Sequence, residues 1–112
     1  MLRRISIVLA QWCPHCVPLS LERAQRVAQE LNVELRVLDI DEPDLENEAD
    51  MLVKERGDFA EDYLIPQVFF ERDDGSISHV FTGFSEGVQV TSARWDDFFR
   101  SKYYSALRKS AG

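Results

Sequence analysis

The sequence predicts an α/β fold in which short strands alternate with helices. Three observations indicate it: an apolar run rich in Ile and Val near the start, segments with apolar residues at helical spacing, and a hairpin signal between two short apolar runs. The expected order is β-α-β-α-β-β-α, with a central mixed four-stranded sheet flanked by helices. We expect residues 1–112 to form one domain, with a core from about residue 4 to residue 107.

The first part of the chain reads as strand, helix and strand. Residues 4–10 are typical of a strand buried on both faces. From Pro14 onward, apolar residues recur on one helix face, at Val17, Leu21, Ala24, Val27, Ala28 and Leu31. Pro18 removes a backbone hydrogen bond and is expected to bend this helix, which Asn32 can end. With a second strand over residues 33–40, this length predicts a right-handed unit with parallel strands.

The second part contains a helix, a hairpin and a final helix. Gly57 is expected to end a helix that carries apolar residues at Leu45, Ala49, Leu52 and Val53. Residues 58–64 form a short helical or looped insertion. Strands over residues 67–71 and 77–82 flank a turn at residues 73–76. Thr91 or Ser92 is expected to cap the last helix, whose residues spaced for burial are Trp95, Phe98, Phe99, Tyr103 and Leu107.

Composition and charge narrow the range of partners. A formal charge of −7 argues against nucleic acid and anionic membrane surfaces, because both require basic patches. No apolar stretch approaches the roughly 20 residues of a membrane span. The basic, apolar start resembles a signal sequence, but its apolar part ends at a cysteine motif and is read as a strand. We therefore expect a cytoplasmic, monomeric protein with a packed core.

The segment Trp12-Cys13-Pro14-His15-Cys16 holds both cysteines and lies between the first strand and the first helix. Unpaired N–H groups and the helix dipole at a helix start favour the thiolate of Cys13. Cys16 lies one turn further on, close enough to form a disulfide with Cys13. The pattern predicts a redox-active pair in which Cys13 is exposed and reactive.

Two other interpretations of the cysteines, a zinc site and a structural disulfide, have less support in the sequence. A zinc site needs four ligands, and the remaining candidates are His15, between the cysteines, and His79, which reads as a structural residue in a strand. No metal is therefore expected. A structural disulfide is disfavoured because so short a loop removes little entropy from the unfolded chain.

Three motifs, Trp12-Cys13-Pro14-His15-Cys16, Ile65-Pro66-Gln67 and Thr82-Gly83, occur at matching places in the predicted element order. With this order, the chain resembles the thioredoxin-like superfamily in a minimal form of glutaredoxin size with a Cys-Pro-His-Cys motif. The resemblance covers nearly the whole chain. It implies a thiol–disulfide oxidoreductase that reduces disulfides of proteins or small molecules, with electrons from a reductase or a thiol pool and no bound cofactor.

The resemblance also implies a role for each residue of the site. Cys13 is the attacking thiol and Cys16 the buried resolving thiol, while Pro14 and His15 tune the acidity of Cys13. Pro66 is a cis-proline that faces the disulfide, and the backbone beside it pairs with an extended substrate. The residues that would contact substrate are Trp12, Ile65, Pro66, Gly83 and Phe84.

The sequence departs from the residue patterns of both thioredoxins and glutaredoxins, the two families that this resemblance includes. Thioredoxins carry a buried Asp on the first strand and a Lys on the next, where this chain has Ile7 and Val37. Glutaredoxins carry a basic residue before the motif, where this chain has Gln11, and a Gly-Gly-x-x-Asp-like segment where it has residues 82–86. The thioredoxin proton relay is therefore not expected, and glutathione binding stays an open question.

Other functions for the same residues remain open. The pair Pro14-His15 matches strongly oxidising enzymes, so a disulfide oxidase or isomerase running in the opposite direction is one alternative. A binding or redox-sensing module without turnover is another. A dimer that holds an iron–sulfur cluster through Cys13 is a third, which Pro14 disfavours.

Overall fold

The computed structural model describes residues 2–58, 64–83 and 88–111. The strands are β1 (Leu2–Leu9), β2 (Glu34–Asp39), β3 (Gln67–Arg72) and β4 (Ile77–Thr82). The helices in the described ranges are α1 (Leu21–Leu31), α2 (Pro43–Arg56), α3 (Val88–Arg100) and α4 (Lys102–Ala111). A short helical segment, His15–Ser20, precedes α1. The α/β class and the mixed four-stranded sheet are confirmed.

The sheet has the order β2-β1-β3-β4. β1 is parallel to β2, as predicted from the strand-helix-strand pattern, and antiparallel to β3, while β4 runs antiparallel to β3. In the predicted turn between β3 and β4, Gly75 adopts a φ of 86° and the Ser76 N–H donates to Asp74 Oδ1 at 2.9 Å. The hairpin signal therefore predicted this turn correctly.

Side chains alternate along β1 between two apolar clusters on opposite faces of the sheet. Ile5, Ile7 and Leu9 belong to the larger cluster, which includes residues of α1, α3 and α4. Val8 belongs to a smaller cluster formed with α2. Helices therefore cover both faces, with three of the described helices on one face and α2 on the other.

The first predicted helix is broken at Pro18 rather than bent. Val17 has extended angles, φ −129° and ψ 127°, and regular helix resumes only with α1. A residue before proline avoids the helical region because the proline ring clashes with it, and proline itself has no N–H to donate. The end of the helix is as predicted, because Asn32 adopts a left-handed φ of 54°.

The last predicted helix is two helices, and its predicted cap is wrong. α3 already includes Val88, so Thr91 and Ser92 lie within the helix rather than before it. Ser101 separates α3 from α4, and its Oγ accepts a hydrogen bond from the N–H of Tyr104 at 3.1 Å. This contact caps α4, since a serine oxygen satisfies an N–H group that the first helical turn leaves free.

Most of the predicted insertion, residues 59–63, lies outside the described residues. Its first residue is tied to β3, because the buried Gln67 side chain accepts from the Asp58 N–H at 3.0 Å and donates to the Asp58 carbonyl at 2.9 Å. In the ranges given above, no helix has the length and apolar character needed to cross a membrane.

Candidate thiol site

The two cysteines lie just beyond the carboxyl end of β1. The Cys13 N–H donates to the Ala10 carbonyl at 3.2 Å, which directs the chain away from the strand. The Cys13 carbonyl accepts hydrogen bonds from the N–H groups of Cys16 and Val17, both at 3.0 Å. Pro14 has helical angles, φ −69° and ψ −21°. These bonds close one tight turn that contains both cysteines.

Both cysteines are free thiols and both are buried. Cys13 is 3% exposed and Cys16 is 0% exposed, so the expectation of an exposed Cys13 is wrong. Both side chains belong to the larger apolar cluster, because the turn folds back onto that face of the sheet. Trp12, directly before Cys13, is 68% exposed and carries the apolar surface next to the pair.

Burial raises the pKa of the Cys16 thiol above its ordinary value of 9.0, and the hydrogen bond that this thiol makes with the Cys13 side chain adds to the effect. The negative charge of Asp39 also raises it, while a hydrogen bond with the Ala10 backbone lowers it. Cys16 is therefore held as a protonated thiol directed at Cys13.

Asp39 is a residue that sequence reasoning missed. It is buried at the end of β2, opposite Leu9 in the parallel register, and its Oδ1 accepts from the Asp41 N–H at 2.9 Å. Ile7 and Val37 are register partners in the same sheet. The carboxylate that acts on Cys16 therefore lies further along β2. An acidic residue at the end of an apolar strand was the available signal.

A chain of two hydrogen bonds links the cysteine turn to α3. The indole Nε1–H of Trp95 donates to Ser20 Oγ at 2.9 Å, and the Ser20 hydroxyl donates to the His15 carbonyl at 2.6 Å. Ser20 and Trp95 are fully buried. Sequence reasoning treated Trp95 only as a core residue and did not single out Ser20, although a serine stands there in an otherwise apolar pattern.

The His15 side chain is half-buried. Its Nδ1 atom is buried, and within the described part of the chain it has no hydrogen-bond partner. The expected tuning of Cys13 by His15 stays a prediction.

Pro66 and Gly83, which the resemblance singled out, lie together at the same end of the sheet. The Ile65–Pro66 bond is cis, as predicted, and the Gly83 N–H donates to the Pro66 carbonyl at 2.8 Å. A Cβ atom on Gly83 would stand 2.6 Å from Pro66 Cδ, so the ring itself requires glycine there. Val8, near the end of β1, pairs with Gln67, which directly follows Pro66. Pro66 and Gly83 therefore lie at the end of the sheet where the cysteine turn begins.

The remaining predicted site residues have different outcomes. Ile65 is half-buried and packs against both apolar clusters. Phe84 lies outside the described residues. The Nε2 of His79, which the sequence reading treats as a structural residue, lies 2.5 Å from Thr82 Oγ1, whose hydroxyl donates to Asp58 Oδ2 at 2.7 Å.

Comparisons with known proteins give no assignment. A scan against protein-family models finds no match, and a search of the curated proteins finds no significant match. Among the residues with described positions, no group of three or more His, Cys, Asp or Glu side chains is placed to hold a metal ion. The function must therefore be argued from the chemistry of the two thiols.

Proposed function

We propose that this protein is a thiol–disulfide oxidoreductase of the thioredoxin-like type and that Cys13 and Cys16 are its redox couple. One observation carries the proposal: two free, buried thiols lie within the single hydrogen-bonded turn that follows β1. The sheet order and the cis-proline at the start of β3 support the fold assignment.

Cys13 is the attacking thiol. It keeps a small exposed fraction, whereas Cys16 has none, and the raised pKa of Cys16 keeps that thiol protonated. A protonated Cys16 is not itself a nucleophile, so the first attack falls to Cys13. Exposed Trp12 offers an apolar surface, and half-buried Ile65, directly before Pro66, offers a backbone segment for an extended disulfide-containing substrate.

The reaction transfers two electrons and two protons. The Cys13 thiolate attacks one sulfur of the substrate disulfide, the substrate S–S bond breaks, and the leaving sulfur takes a proton. Cys16 then loses its proton and attacks Cys13 Sγ in the mixed disulfide, which releases the second substrate thiol. The Cys13–Cys16 disulfide that results must be reduced by a reductase or a thiol pool before the next cycle.

The proposal is tested by following the reduction of a disulfide-bridged protein such as insulin by dithiothreitol. We expect the protein to accelerate this reduction, Cys13→Ser to abolish the acceleration, and Cys16→Ser to accumulate a mixed disulfide through Cys13. Ser105→Ala, on the exposed side of α4, is the control and should behave as the unmodified protein. A protein that forms the Cys13–Cys16 disulfide but never accelerates substrate reduction would be a redox-sensing module, and the proposal would be wrong.

A further inference from the structure

We infer that Ser20 and Trp95 are positioning residues for the thiol pair: through the His15 carbonyl, they fix the turn that presents Cys16 to Cys13. This inference rests on the proposed function, since it assigns these residues to the redox couple of that function. The hydrogen bonds described for these two residues are to each other and to the His15 carbonyl. Their proposed effect is to raise the effective concentration of one thiol at the other.

The direction of the two hydrogen bonds is fixed by chemistry. An indole N–H can only donate, so Ser20 Oγ must accept from Trp95 Nε1 at 2.9 Å. The single hydroxyl proton of Ser20 is then free to donate to the His15 carbonyl at 2.6 Å. Ser20 and Trp95 are fully buried, so removing the Ser20 hydroxyl leaves the Trp95 indole N–H without its partner.

The turn needs this support because the helix after it is interrupted. Val17 has extended angles and Pro18 has no N–H, so regular helix is interrupted there, and one backbone bond from the Leu21 N–H to the Cys16 carbonyl crosses the break. Ser20, directly before α1, adds a side-chain bond to the His15 carbonyl. The position of His15, between the two cysteines, is therefore set by a side chain from beyond the break.

Trp95 connects this support to the rest of the large cluster. Its ring lies 4.6 Å from the Phe81 ring and 5.9 Å from both the Phe98 and Phe99 rings, measured between centroids. A ring held on several sides cannot rotate its N–H away from Ser20 without disturbing the packing. The thiol turn is thus anchored to α3 and β4 and not only to its own neighbours in sequence.

The inference predicts the effect of removing either hydrogen bond. Without the bonds, residues 14–16 sample more conformations, and closing the Cys13–Cys16 disulfide costs more entropy. We expect Trp95→Phe, which keeps an aromatic ring, and Ser20→Ala each to lower the effective concentration of the thiol pair about threefold to tenfold. Ser20→Thr, which keeps the hydroxyl, should restore most of it.

The experiment equilibrates each variant with glutathione redox buffers and measures the fraction of Cys13–Cys16 disulfide. The free energy of unfolding of the disulfide and dithiol forms of each variant is measured in parallel with urea. Phe70→Leu is the matched control, because it loosens the same cluster at the rings of Phe98 and Tyr103 and leaves the rings around Trp95 unchanged. We expect this control to lower the stability of both redox forms equally and to leave the equilibrium constant unchanged.

The result that overturns the inference is an unchanged equilibrium constant in Ser20→Ala and Trp95→Phe, with both redox forms destabilised equally, as in Phe70→Leu. Ser20→Thr behaving like Ser20→Ala would also contradict it, provided that its fold is intact by circular dichroism. Equilibration requires no catalytic turnover. Failure to reduce a substrate would therefore overturn the proposed function and leave this test in place.

Discussion

The two faces of the sheet are built differently, although β1 and β3 contribute side chains to both. The face that carries the thiol turn is covered by α1, α3 and α4 and is rich in aromatic rings. These rings are Phe70, Phe81, Trp95, Phe98, Phe99, Tyr103 and Tyr104. Of the described helices, only α2 covers the other face, which has a smaller cluster formed by Val8, Leu38, Ala49, Val53 and Phe69.

The helix on the smaller face contributes little to the core. The buried residues of α2 are Ala49 and Val53, and Met51 is largely exposed. An ion pair between Arg36 and Glu48 joins this helix to β2 at the surface. Proteins tolerate a small cluster more easily where no precise geometry is required. The contrast indicates that the larger, interlocked cluster serves the thiol turn as well as the stability of the fold.

The largest expected effect on the free energy of unfolding comes from two neighbouring residues of β3 whose side chains point to opposite faces of the sheet. Phe70 lies 6.1 Å from the rings of both Phe98 and Tyr103, whereas Phe69 has the ring of His79 at 5.5 Å. We expect Phe70→Ala to lower the free energy of unfolding by about 3–5 kcal/mol. Phe69→Ala should cost about 1 kcal/mol less, since it loses one aromatic pair fewer.

Urea denaturation of the dithiol forms measures this difference. An equal or larger loss in Phe69→Ala would show that the two faces contribute alike, and the comparison between them would fail.

The second prediction concerns the water-excluded position of Cys16 on the larger face. Its pKa in the folded protein is raised above the ordinary value of 9.0, so above that pH the unfolded chain ionises while the folded protein does not. The stability of the dithiol form is therefore complete below pH 9 and should fall by about 1.4 kcal/mol by pH 10. It continues to fall until the pH reaches the raised value.

The disulfide form is the control for this prediction, because it has no thiol to ionise. The pKa of Tyr104 is also raised, by burial and by its bond to Glu30, but this contribution is present in both redox forms. Asp39→Asn should lower the pKa of Cys16 and reduce the pH dependence of the dithiol form. Parallel stability curves for the two redox forms between pH 8 and pH 10.5 would contradict the prediction.

The sequence predicted the elements whose signals are local. The apolar run of β1, the helical spacing of α1 and the turn around Gly75 each depend on neighbouring residues, and all three are present. At Pro18 a bend was predicted where the helix is interrupted, and the cap at Ser101 was missed, for a common reason. In both places one residue overrides a continuous apolar pattern, and the pattern alone does not show where the helix stops.

The burial of Cys13 was missed for a different reason. A cysteine at the start of a helix is exposed when the helix begins at the surface, but here the turn folds back onto the large cluster. The bond between Trp95 and Ser20 joins residues that are 75 positions apart. No local pattern carries such a contact. The place of the two cysteines between β1 and the first helical segment could therefore be predicted from sequence, while the buried contacts of Ser20 and Trp95 could not.

The smallest expected effect on the free energy of unfolding concerns the ion pairs on the two faces of the sheet. Glu30 on α1 accepts from Tyr104 Oη and from Arg26 Nε, both at 2.8 Å, and so joins α1 to α4 on the larger face. Glu48 on α2 pairs with Arg36 at the more exposed surface of the smaller face. We expect Glu30→Gln to lower the free energy of unfolding by about 0.5–1 kcal/mol, and Glu48→Gln by less.

The pH dependence distinguishes loss of charge from loss of packing in this last comparison. The hydrogen bond from Arg26, and then that from Tyr104, holds the pKa of Glu30 below its ordinary value of 4.5. A lowered carboxylate pKa contributes stability above pH 4.5 that is lost as the pH falls through the lowered value. The difference between the unmodified protein and Glu30→Gln should therefore be full at pH 6 and vanish on acidification, as measured by urea unfolding. A difference that persists below pH 3 would mean that Glu30 acts through its shape, and the charged link from α1 to α4 would add nothing to the larger face.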